Sequence, residues 1–138
     1  NDFALALAGS AERHQETTQL GRNFLVASAV WTNAALPEHD VAYPVAAGRA
    51  CHGFGISRDA AVMAYLQGFC AALVSVAVRL IPLGQTRGLE VLRNLAPVIA
   101  DVAARATTAS LDDIGTSCIA ADIAAMRHET LEPRVFRT

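Results

Sequence analysis

The chain has 138 residues, of which 53% are hydrophobic and 17% charged, and its formal net charge at pH 7 is -2. A chain of this length can fold as one domain with a hydrophobic core. Its apolar composition excludes an intrinsically disordered chain. All 11 basic residues are arginines and acids outnumber them, so no basic surplus exists to bind phosphate and no nucleic-acid partner is expected.

Cysteine usage indicates the compartment. Cys51, Cys70 and Cys118 are odd in number, lie far apart and form no CxxC pair. This argues against a disulfide framework and predicts a reducing, cytoplasmic location. Residues 1–30 contain acids, histidine and glutamine in place of a basic start and an apolar block, so no secretory signal is expected.

A helical period, rather than the alternation of a strand, marks the start of the chain. A short helix is predicted over residues 2–8, and Ser10 is the predicted N-cap of a longer helix that ends near Trp31. Apolar residues recur along the longer helix at i, i+4, i+7 and i+11, which predicts a core-facing stripe. The stripe comprises Leu20, Phe24, Ala27 and Trp31.

Proline, glycine and serine punctuate the next segment. A loop is predicted over residues 32–43, and Pro44 fits the first turn of a third helix, where its missing N–H costs nothing. That helix is predicted to end near Gly53. Ser57 is the predicted N-cap of the fourth helix, with Asp59 favourably placed in its first turn.

The fourth predicted helix, over residues 58–80, is apolar almost all round, which is typical of a helix packed on several sides. A membrane span needs about 20 predominantly apolar residues. Here the apolar run ends at Arg79, and extending it backwards brings in Gln67. A buried central helix is therefore favoured over a membrane helix, and no membrane partner is expected.

Pro82 breaks the fourth helix, and a helical period resumes over residues 85–108. Pro97 lies inside this fifth helix and is predicted to kink it, unless the helix restarts there. Asp101 and Arg105 form an i, i+4 pair in the favourable order. The predicted core stripe comprises Leu92, Leu95, Ala96, Ile99, Val102, Ala103 and Ala106.

The last predicted helix follows a polar connection over residues 109–117 and ends before Pro133. One face carries Asp122 and Glu129, and another carries an apolar stripe at i, i+4 and i+7. The stripe residues are Ile119, Ile123 and Met126. Six helices with short connections predict an all-α fold, in which residues 1–138 form one compact bundle around the apolar central helix.

Catalytic motifs are missing from the sequence. It contains no GxxxxGK[ST], GxGxxG, GxSxG or HExxH pattern, so neither an enzyme nor a cofactor is expected. Candidate metal ligands diverge, since the neighbours Cys51 and His52 would point about 100° apart on a helix. A local metal site is therefore not expected, whereas a site assembled from a dimer or a partner stays open.

Several segments, taken in order along the chain, together resemble one family, the urease accessory protein UreF. The final segment ends in Val-Phe-Arg-Thr where the family has Leu-Phe-Arg-Ser, and the family's N-terminal part has no counterpart here. The matching segments are residues 12–22, VAYPVA at 41–46, YLQ at 65–67, RLIPLGQ at 79–85, DIAAMRHE at 122–129 and PRVFRT at 133–138.

The resemblance implies a fold of packed helices, usually a homodimer, that acts as a non-enzymatic chaperone in metallocentre assembly. The implied partners are the accessory protein UreD (also called UreH), the GTPase UreG and apo-urease. Nickel is implied to pass through the assembled complex to the urease active site, and the chain itself is implied to hold no cofactor.

Partner-binding roles transfer by resemblance to three groups of residues. Because buried arginine and aromatic anchors dominate interfaces, the tail over residues 133–138 is predicted to bind the partner. The residues are Arg127, His128 and Glu129 in a charged cluster, Arg134, Phe136 and Arg137 in the tail, and Leu83, Gly84 and Gln85 in a corner between helices.

Two alternative functions stay open. A small metal-binding helical protein would bind nickel or zinc stoichiometrically by itself and lose the metal when His128 or His52 is replaced. An oligomerisation module without a role in urease maturation would form a stable dimer that is indifferent to UreD.

Overall fold

A computed structural model of the chain describes residues 1–32, 35–115 and 118–132. Across those ranges the chain is mainly helical and contains no strand, which confirms the all-α prediction. The helices are α1 (Asp2–Ala6), α2 (Ala11–Thr32), α3 (Tyr43–Gly53), α4 (Arg58–Leu80), α5 (Gln85–Thr108) and α6 (Ile119–His128), with a short 3-10 helix, Leu111–Asp113, before α6.

These helices form two compact units. The first comprises Asn1–Gly55 with the described part of Asp113–Thr138, and the second comprises Ile56–Asp112. The helix α2 packs with α3 and α6 in the first unit, and α4 packs with α5 in the second. That residues 1–138 form a single domain stays a prediction.

In the first unit, α2 closely approaches the segment that leads into α3. A Cβ atom on Gly21 would overlap the carbonyl oxygen of Val41. Thr18 and Ser28 are buried on α2, and their hydroxyls donate to carbonyls of the preceding turn at 3.0 and 3.1 Å. Small residues dominate the rest of this core, which contains Val41, Ala42, Ala46 and Ala50.

The predicted core stripe of α2 is wrong in most of its members. Trp31 is 75% exposed, and Leu20 and Ala27 are exposed as well. Phe24 is half-buried and packs edge-to-face on Tyr43, with 5.6 Å between ring centroids. Because the two backbones come so close, small and hydroxyl-bearing residues occupy the contact face and large side chains do not fit there.

In the second unit, the residues just before α4 and α5 determine where these helices begin. The hydroxyl of Ser57 accepts the backbone N–H of Ala60 at 3.3 Å, which confirms the predicted N-cap. Gly84 precedes α5 with a φ of 74°, a left-handed value that favours glycine. The helix α5 continues through Pro97, so it does not restart there.

The prediction that α4 is a buried central helix is wrong. None of its residues is buried, and the helix packed on it in this unit is α5. An apolar composition favours burial, but burial also requires other helices to pack against. One adjacent helix covers only one side of α4. Length and composition alone would allow α4 to cross a membrane, a property that it shares with the core helices of soluble proteins.

The predicted stripe of α5 is confirmed in part. Ile99 and Ala103 are buried, whereas Ala96 is exposed. The predicted ion pair between Asp101 and Arg105 is present at 3.1 Å. The half-buried members of the stripe are Leu92, Leu95, Val102 and Ala106.

Candidate functional site

The start of α2 and the end of α6 meet in the first unit. His128 Nδ1 lies 2.6 Å from Glu12 Oε2, and the backbone N–H of Glu12 donates to Glu129 Oε1 at 3.3 Å. The Glu12 side chain is 18% exposed and that of His128 is 30% exposed. We refer to Glu12, His128 and Glu129 as the α2–α6 clamp.

The hydrogen bonds that cap the start of α2 are compatible with the contact to Glu129. The hydroxyl of Ser10 accepts the N–H of Arg13 at 3.2 Å, which confirms the predicted N-cap. The carbonyl of Ser10 accepts the N–H of His14 at 3.0 Å. The first N–H groups of a helix lie ahead of its own ladder of hydrogen bonds, and Glu129, the C-cap of α6, accepts the N–H of Glu12 in the first turn of α2.

The helix dipoles bear on the clamp residues in both directions, because Glu129 is the C-cap of α6 and lies at the negative end of that helix. The carboxylate of Glu129 lies at the positive N-terminal end of α2, and His128 lies in the last turn of α6, where the helix dipole favours a cation. The chemistry of this arrangement is therefore suited to fastening two helix ends together.

The helix α6 turns a polar side towards α2. A Cβ atom on Gly9 would lie 3.8 Å from the carboxyl group of Asp122, which is half-buried. Ala125, His128 and Glu129 are half-buried as well. The apolar stripe points away from α2, with exposed fractions of 70% for Ile119, 44% for Ile123 and 50% for Met126.

The three residues of the predicted charged cluster differ in their surroundings. His128 and Glu129 belong to the clamp, whereas Arg127 is exposed. The structure thus gives two of the three an internal role that the sequence analysis did not predict. Their binding to a partner stays a prediction.

The predicted corner residues form the turn between α4 and α5 in the second unit. The N–H of Leu83 donates to the carbonyl of Ile81 at 2.6 Å, and Leu83 is half-buried. Gly84 supplies the left-handed conformation and Gln85 begins α5. These residues therefore reverse the direction of the chain between two packed helices. Their partner-binding role stays a prediction.

The predicted tail lies outside the described residues. Arg134, Phe136 and Arg137 therefore keep the partner-binding role given in the sequence analysis as a prediction.

Within residues 1–32, 35–115 and 118–132, no three His, Cys, Asp or Glu side chains are grouped so that they could hold a metal ion. Cys51 and Cys70 are half-buried free thiols, and Cys118 is an exposed one.

Sequence reasoning did not identify Glu12 as a site residue. It entered the sequence analysis only as the first residue of the segment 12–22, which carries part of the family resemblance. The separation of 116 residues between Glu12 and His128 hides their contact from any local pattern.

Comparison with known proteins gives one consistent result. The family model described as UreF matches residues 1–96. The urease accessory protein UreF of Allorhizobium ampelinum is 46% identical over 140 residues, which cover 100% of the chain and 61% of that relative. The UreF of Roseobacter denitrificans is 49% identical over 137 residues, covering 99% and 60%.

A third relative, the UreF of Rhizobium meliloti, is 45% identical over 140 residues, covering 100% of the chain and 63% of the relative. The chain therefore spans about three-fifths of the length of these curated relatives. No solved structure matches it.

Proposed function

Because the chain belongs to the UreF family of urease accessory proteins, we propose that it acts as a non-enzymatic scaffold in urease maturation. In this proposal it binds UreD (UreH) and the GTPase UreG in the cytoplasm, as a homodimer. The assembled complex delivers nickel to apo-urease, and nickel is the cargo of that complex rather than a cofactor of this chain.

Family membership is the observation that carries the proposal. The exposed apolar surface supports it, because monomeric soluble proteins rarely expose large contiguous apolar patches without a binding role. On α6 the exposed stripe is followed directly by the charged cluster and then by the tail. On α4, Phe69 and Leu73 are 52% and 55% exposed.

We further propose that the tail anchors UreD. Arg134 and Arg137 flank Phe136 in the sequence, and arginine and aromatic side chains are the types that contribute most to interface energies. The exposed Arg127 precedes the tail and is a candidate for the same interface.

The test is size-exclusion chromatography with light scattering on the full-length gene product, mixed with its cognate UreD. One co-eluting complex with the summed mass is expected for the intact protein. Deletion of residues 133–138 is expected to abolish that complex with little change in helix content by circular dichroism. If the intact protein does not bind UreD, the scaffold proposal is wrong. If the intact protein and the deletion variant both bind UreD, the tail proposal alone is wrong.

A single replacement sharpens the result. Phe136→Ala is expected to weaken UreD binding, whereas Phe3→Ala removes an aromatic side chain that is 51% exposed on α1 and should leave binding unchanged. Nickel titration of the protein alone separates the metal-binding alternative, because tight stoichiometric binding that is lost in His128→Gln would favour that alternative.

A further inference from the structure

The helix α6 is rotated about its own axis so that its apolar stripe is exposed. Burial of apolar surface would favour the opposite rotation. The half-buried side of α6 contains Asp122, His128 and Glu129. Its most apolar stripe, Ile119, Ile123 and Met126, is exposed. Removing apolar side chains from water is favourable, so burial of apolar surface against α2 does not account for the observed rotation.

We infer that the α2–α6 clamp fixes this rotation and so holds the apolar stripe of α6 away from α2. Glu12, His128 and Glu129 are then positioning residues, and they act on whatever binds α6 without having to contact it. This inference goes beyond the proposed function, since it concerns the chain alone and holds whichever partner is bound.

The geometry of a helix explains why two contacts suffice. Successive residues are about 100° apart around the axis, so His128 and Glu129 approach α2 from two different directions. Both contacts end on the same residue, Glu12, one on its carboxylate and the other on its backbone N–H. A single contact would allow α6 to roll, whereas this pair does not.

The direction midway between the two clamp side chains is that of Ala125, one turn earlier on α6. The centre of the apolar stripe lies roughly a third of a turn from that direction, given 3.6 residues per turn. Bringing the stripe to α2 would therefore swing both clamp side chains away from Glu12 and break both contacts. The clamp and burial of the stripe against α2 are mutually exclusive.

Two cysteine reporters measure the rotation. Ile123→Cys lies on the exposed stripe and Ala125→Cys lies on the half-buried side. Each is introduced into the full-length gene product and alkylated, with peptide-level mass spectrometry to separate the reporter from Cys51, Cys70 and Cys118. In the intact clamp, Ile123→Cys is expected to react faster than Ala125→Cys.

The clamp is then broken with the paired substitutions Glu12→Ala and Glu129→Ala, which remove both side-chain acceptors and keep a residue of high helix propensity. The rate ratio between the reporters is expected to fall by about threefold or more, because α6 rolls or opens locally. Either a reversed ratio or fast reaction at both sites supports the inference. An unchanged ratio overturns it, since the rotation would then be set by other packing.

Matched controls use exposed carboxylates near the same helix ends. Glu16→Ala on α2 and Glu132→Ala after α6 remove one carboxylate each outside the clamp and should leave the ratio unchanged. If the paired variant loses helix content, His128→Ala alone gives the same test, because it removes one of the two contacts and leaves the Glu129 contact with Glu12 in place. A ratio that is unchanged in His128→Ala then overturns the inference.

Discussion

The two units of the molecule pack their main helix pairs by different means. In the first, Gly21 of α2 meets the backbone of Val41, and the buried residues around it are small. In the second, Gly88 of α5 lies under the side chains of Val74 and Val78, and no residue of α4 is buried. The first contact is between backbones, and the second is between a backbone and branched side chains.

This difference separates apolar character from burial. The helix α4 is the most apolar segment of the chain and has no buried residue, whereas α2 buries two hydroxyl side chains, Thr18 and Ser28. Close approach requires small residues, because large apolar side chains hold helices further apart and remain partly exposed. The following substitutions test whether the two contacts differ as the distances indicate.

The largest effect is expected from Gly21→Ala. The new Cβ atom would overlap the carbonyl oxygen of Val41, and neither backbone can move without disturbing the buried residues beside it. We expect a loss of about 3 kcal/mol in the free energy of unfolding, the upper part of the usual range for overpacking. Urea unfolding followed by circular dichroism measures it.

The control for this substitution is Gly48→Ala in α3 of the same unit. Gly48 is exposed, and no atom of the described chain outside its own helix turn lies within 4 Å of a Cβ placed there. Alanine in a helix interior should stabilise by about 0.5–1 kcal/mol relative to glycine. Equal effects at positions 21 and 48 would contradict the backbone contact.

A smaller loss is expected from Gly88→Ala in the second unit. Its Cβ atom would lie 2.8 Å from Val78 Cγ2 and 3.3 Å from Val74 Cγ1. Valine side chains are stiff but can shift, and alanine improves helix propensity, so we expect a net loss of about 1–2 kcal/mol. Hydrogen exchange of α4 and α5 peptides measures it locally, with the open position Gly68→Ala as the control.

The smallest effects are expected at the two serine caps, one in each unit. Ser57→Ala removes an N-cap bond at 3.3 Å and should cost about 1 kcal/mol. Ser10→Ala removes a similar bond at 3.2 Å but should cost less, because Glu129 still accepts an N–H at the start of α2. Hydrogen exchange in the first turns of α2 and α4 compares them, and a larger loss at Ser10 would argue against the Glu129 contact.

The sequence by itself determined the helices, their order and most of their ends. Ser10, Ser57 and Pro44 lie where α2, α4 and α3 begin, because capping and proline geometry depend on residues within one turn. The family could also be recognised from short segments in a fixed order, because such motifs can be read from the sequence without knowing which residues they contact. The corner at Gly84 was given by the family resemblance, and the left-handed φ of Gly84 agrees with a turn there.

Only the tertiary structure decided which helix faces are covered. Periodicity identified an apolar stripe on α2 and another on α6, yet Trp31 and Ile119 are exposed, and the covered faces contain Thr18 in α2 and His128 in α6. The pairing of Glu12 with residues at the far end of the chain was equally invisible in the sequence. A helix boundary depends on its own few neighbours, whereas the burial of a face depends on the size and charge of residues that folding alone brings alongside.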